Sequence, residues 1–127
     1  MWEDYVSFET AKLLKEKGFK IPYDSFRGVY INGIFKRLNP GDAYGYNLGD
    51  EIINVCSLQM AMKWLREKHN LYADIILHSV NRTLIYEARI DKINSPSDID
   101  VILPQINEPN YENACEAAIK YCLENLI

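Results

Sequence analysis

Ser57 to His69, SLQMAMKWLREKH, runs without a break into LYADIILHSV, and this stretch restricts the fold more than any other. Leu58, Ala61, Met62 and Leu65 recur at i, i+3, i+4 and i+7, the spacing of one buried stripe on an α-helix. Met60 and Trp64 widen the stripe, while Gln59, Lys63, Arg66 and Glu67 fall on the opposite side. Ser57 is placed as an N-cap, and Lys68 and His69 bring positive charge to the C-terminal end of the helix dipole. A strand pattern follows at once, so the middle of the chain delivers a helix directly onto a sheet.

The flanking segments extend this pattern. Ser7 can cap a short helix over FETAKLLKEK, with Gly18 as its left-handed terminator and Phe19 folding back onto the last turn. In RGVYINGIFKRL the pair Asn32-Gly33 separates two β-prone triplets, the strongest short-range signal for a two-residue type I′ hairpin. Ile52 to Val55 adds a short strand. LYADIILHSV and TLIYEARIDKI form a second antiparallel pair joined at Asn81-Arg82, with Leu84, Tyr86, Ala88 and Ile90 on the core side. DIDVILP reads as an edge strand ended by Pro104. Asn110 then caps YENACEAAIKYCLENLI, whose Tyr111, Cys115, Ala118, Cys122 and Leu126 align on one face. The expected fold is α+β: three helices on a mostly antiparallel sheet of four to five strands, in the order α-β-β-α-β-β-(β)-α. Its 127 residues are expected to form a single domain, 1–127.

The sequence excludes several classes. An acidic N-terminus, MWEDYVSFET, lacks the pattern of a secretory signal, and no apolar run is long enough to span a bilayer, so a cytoplasmic protein with no membrane partner is expected. Cys115 and Cys122, seven apart on one helix, have α-carbons roughly 10 Å apart, beyond disulfide reach. Together with Cys56 they read as reduced core residues. Neither His69 nor His78 has ligand spacing to them, so no metal is expected. A net charge of −4 conceals a polarity. From Lys12 to Arg37 seven basic residues stand against two acidic ones, and from Glu87 to Glu124 eight acidic residues stand against three basic ones.

No phosphate-cradling glycine loop, HExxH or nucleophile elbow occurs, so no catalytic residue and no cofactor is assigned. The long irregular connection NPGDAYGYNLGDE, 39–51, is the place to look for binding. Its Tyr44 and Tyr46 are stiff and amphipathic, Asp42 lies beside them, and Arg37 precedes them on the hairpin; these four are the candidate binding residues. Asp98 and Asp100 read as a solvated turn rather than a cation site. Tyr30, Phe35 and Arg37 on a basic hairpin also suit a single-stranded nucleic acid, aromatics for bases and cations for phosphates.

In YVSFETAKLLKEKGF, SLQMAMKWLREKHNL and YENACEAAIKYCLENLI the chain resembles a group of small proteins from phage, prophage and mobile-element regions of gut bacteria. Similar members often carry Pro-Thr before LQMAMKWLRE, where this chain has Cys56 and Ser57. The likeness covers the three helices and implies a phage-associated accessory protein, with no catalytic residue to carry over. A non-catalytic module that binds an unknown protein partner or associates with itself is therefore expected. The alternative is a nucleic-acid-associated accessory protein using the basic 12–37 region.

Overall fold

The computed structural model describes residues 4–21, 28–37 and 49–127. Within them the chain is an α+β protein in the expected order of elements, with Ile52–Val55 as the further strand before the second helix. The six strands divide into two antiparallel sheets of three. Two compact units contain them, 1–57 and 58–127.

The first unit begins with α1, Phe8–Glu16. Ser7 Oγ accepts from the Thr10 amide at 3.3 Å, as its sequence position requires. At the other end Gly18 takes φ +90° and the Phe19 amide donates to Leu14 O at 3.0 Å, a Schellman-type closure. Strands β1, Gly28–Ile31, and β2, Ile34–Arg37, pair through Asn32-Gly33, both at positive φ, as a type I′ turn demands. β3, Ile52–Val55, pairs antiparallel with the other side of β1. Asn32 fastens the turn to the approach of β3. Its amide donates to Glu51 O and its Oδ1 accepts from the Glu51 amide, both at 2.8 Å, while its Nδ2 donates to Asp50 Oδ1 at 3.0 Å. α1 packs on β3, and Val6, Leu14, Val29 and Val55 are fully buried.

The second unit starts with α2, Leu58–His69, which buries Leu58, Ala61, Met62 and Leu65, the stripe read from the spacing. One left-handed residue, Asn70 at φ 54°, turns the chain into β4, Leu71–Val80. β5, Thr83–Ser95, and β6, Asp98–Glu108, complete a β4-β5-β6 meander. The β4–β5 turn has Asn81 and Arg82 at φ 50° and 66°, again type I′. α3, Tyr111–Asn125, is capped by Asn110, whose Oδ1 accepts from the Asn113 amide at 2.7 Å. It packs across all three strands and against α2, burying Ala114, Cys115, Ala118, Ile119, Cys122 and Leu123.

Three details differ from the sequence expectation. β6 does not stop at Pro104 but continues to Glu108. At a sheet edge a proline's missing N–H need not break a ladder bond, and a bulge opposite Arg89, with Gln105 at φ 55°, absorbs the irregularity. On α3 the buried face takes in Leu123 and leaves Tyr111 exposed. On β5 the core side is the expected one, since Ala88 and Ile90 are buried, but Leu84 on that face remains 52% exposed. The helices are too short to reach it. Truncating the buried Leu123 to alanine is expected to cost about 2–5 kcal/mol in urea unfolding, whereas Leu84→Ala should change stability by no more than about 0.5 kcal/mol.

Candidate functional site

Of the four residues singled out for binding, Asp42, Tyr44 and Tyr46 lie outside the described residues. Arg37 ends β2 opposite Gly28, on an edge strand whose four side chains are all exposed. The structure therefore brings Arg37 to a sheet edge beside Lys36, next to a group of aromatic rings. Phe35 packs against Tyr30 at 5.6 Å between centroids and against Tyr5 at 5.3 Å, and Tyr30 meets Phe8 at 5.4 Å. The Phe35 ring lies over Gly28, where an added Cβ would stand 2.7 Å from its Cε2. A side chain at that position would displace the half-exposed Phe35 ring. Tyr30 Oη donates to Val6 O at 3.0 Å. The Tyr30–Phe35 and Phe8–Tyr30 contacts meet near 66–67°, edge to face, so these rings form an interlocked cluster and not one flat shelf. Lys12 Nζ stands 5.3 Å over the Phe8 ring and 3.5 Å from Glu51 Oε2.

A second feature of the same unit is a cavity of about 420 Å³ between α1, its terminating turn and β3. Ala11, Leu14, Phe19, Ile21, Ile52 and Ile53 supply its apolar lining, and Lys15, Lys20 and Asn54 its polar side chains. A small-molecule site normally adds several convergent polar groups to such a lining. Here the polar side chains are two amines and one amide, with no carboxylate or imidazole among them.

The second unit offers a larger surface. Leu77 (54%) and Leu84 (52%), diagonal neighbours on the core-side face, are exposed toward the β4–β5 turn, while Val80, Ile99 and Val101 are exposed on the opposite face of the sheet. The exposure of Leu77 and Leu84 follows from element lengths that were visible in the sequence: a ten-residue strand spans about 33 Å, a twelve-residue helix about 18 Å. The polar groups among these strands pair with each other. His78 Nε2 and Glu87 Oε2 are 2.7 Å apart, and Arg89 Nε donates to Asp91 Oδ1 at 3.2 Å.

Cys56, Cys115 and Cys122 are free and buried, and burial pushes the Cys122 thiol up to about 12. Against a hydrogen bond from Gln59, which favours the phenolate, burial and the neighbouring Cys115 hold the Tyr111 phenol above its ordinary value. Among the described residues no three His, Cys, Asp or Glu side chains are grouped to hold a metal, and no helix is long and apolar enough to cross a membrane.

A thiol reagent at neutral pH should leave all three cysteines unmodified in the folded protein and label all three in denaturant. Because the folded Cys122 keeps its proton where the unfolded thiol has lost it, stability should fall as pH rises above about 9, by about 1.4 kcal/mol per unit. Cys122→Ala should flatten that slope in alkaline unfolding curves. Compared with protein-family models, with curated proteins and with solved structures, the chain finds no match in any of the three.

Proposed function

We propose that this chain is a phage-associated accessory protein that acts by self-association, without chemistry of its own. The observation that carries the reading is the apolar surface on the three-stranded sheet of the second unit, where Leu77 and Leu84 reach beyond the helices on one face and Val80 is exposed on the other. Large apolar groups gathered on one sheet mark contact surfaces more often than isolated exposed ones do. Each such side chain removed from water contributes about 25 cal/mol per Å² of apolar area covered. The absence of any catalytic motif in the sequence points the same way, and the likeness of the three helical segments to phage-region proteins supplies the setting.

Sedimentation velocity from roughly 1 to 500 µM is the direct test, a range that brackets weak to moderate association. A reversible rise in mass is expected, persisting as salt is raised, because burial of apolar surface is not screened by ions. A monomer at every concentration would overturn the reading. The alternative makes the opposite demand. Binding of single-stranded DNA through the exposed Lys36 and Arg37 would be lost as salt rises.

A further inference from the structure

The edges of the second sheet are unlike each other. β6, on one side, carries Pro104, a bulge and three acidic residues (Asp98, Asp100 and Glu108), the features by which sheets keep other strands away. β4, on the other side, is ten residues long with a single acidic residue, Asp74, and no proline, glycine, lysine or bulge, and pairs with β5 in unbroken register from Leu71 to Val80. A long regular apolar edge is a template for another strand. Resting on the self-association proposed above, we infer that the occupant of this edge is β4 of a second copy, antiparallel about a two-fold axis at Ile76.

The register follows from hydrogen-bond parity and charge. In a two-residue hairpin the closing pair, Val80 and Thr83, is hydrogen-bonded, so the even-numbered residues of β4 direct their amides and carbonyls toward β5. The bond from the Ile93 amide to Asn70 O, at 3.0 Å, fixes the same parity at the far end. Ala73, Ile75, Leu77 and Ser79 therefore present their backbone groups outward, and only registers that place odd residues opposite odd residues can bond. Three centre on the middle of the strand. An axis at Ile75 sets Asp74 against Ile76, and one at Leu77 sets Asp74 against Val80. The axis at Ile76 sets Asp74 against His78 of the second copy, Tyr72 against Val80 and Ile75 against Leu77.

The third register alone sets Asp74 opposite a side chain that can donate to it; it also sets Ile75 against Leu77, Tyr72 against Val80 and Ile76 against itself, with Ala73 against Ser79. Asp74 then stands between Arg89 of its own sheet, its partner in register, and the second copy's imidazole, which Glu87 already holds at 2.7 Å. The product is a six-stranded sheet that ends on a guarded β6 at both sides.

The test is cross-linking. In this register two copies of residue 76 face each other as a non-hydrogen-bonded pair, with α-carbons about 4.5 Å apart, within disulfide range. Ile76→Cys should give a covalent dimer under mild oxidation. Tyr72→Cys should give none, because two copies of residue 72 lie about 27 Å apart along the ladder, although that position is the more exposed. The native thiols are buried and add little background. Independently, Leu77→Lys, at a side chain already 54% exposed, should weaken the dimer ~10-fold or more with the monomer's melting unchanged, since two-fold symmetry repeats the substitution. A wild-type dimer that neither cross-links at residue 76 nor responds to Leu77→Lys overturns the β4 assignment and leaves self-association standing. A cross-link at residue 72 overturns the register. A wild-type monomer overturns both.

Discussion

A helix advances about 1.5 Å per residue and a strand about 3.3 Å, and in the second unit that difference decides what is buried. The fifteen residues of α3 extend about 22 Å, enough to cover some seven residues of strand, while β5 has thirteen. The covered part is closely packed. Ala114, Ala118 and the two cysteines keep the buried helix face low where α3 packs on β5, and Ile119, Leu123, Ala88 and Ile90 are buried with them. Beyond the helix ends the same alternation of apolar residues goes on without a cover, and Leu77 and Leu84 stand in water for that reason.

Much of this was legible because local rules were obeyed one at a time. Ser7, Gly18, Asn32-Gly33 and Asn110 each carry a turn or cap whose chemistry is confined to four or five residues, and each does what its type predicts. The α2 stripe was equally legible, since helical period and burial coincide there. What periodicity could not give was extent. Pro104 was read as a stop because the cost of a proline depends on which side of the strand has a neighbour, and sheet order is a tertiary fact. Leu84 was read as core because alternation reports a face, not how far along that face the helices reach. The division of the strands into two sheets was hidden for the same reason: short-range patterns state which residues turn and which extend, not which extended pieces meet.

The candidate binding residues were legible to a smaller degree. Arg37 was chosen for its charge, and it is found at an exposed edge beside an interlocked aromatic cluster whose members, Tyr5 and Phe8 among them, come from two segments distant in sequence. No local pattern could assemble that cluster. The β4 edge carries no local signal for a different reason. Its distinguishing property is the lack of the residues that guard an edge, and a missing lysine or proline matters only once the strand is known to lie outermost.

The meander of the second unit also bears on the order in which the chain acquires structure. β4 joins β5 through two residues and β5 joins β6 through two more, so the ladders grow by zipping from tight turns. β1 and β3, by contrast, close only after Ile31 and Ile52 have met across about twenty intervening residues, a larger loss of chain entropy. Near-neighbour pairings form fastest. The sheet synthesised last is thus the one whose topology lets it form first, and the first sheet must wait for the clasp that Asn32 makes with Asp50 and Glu51.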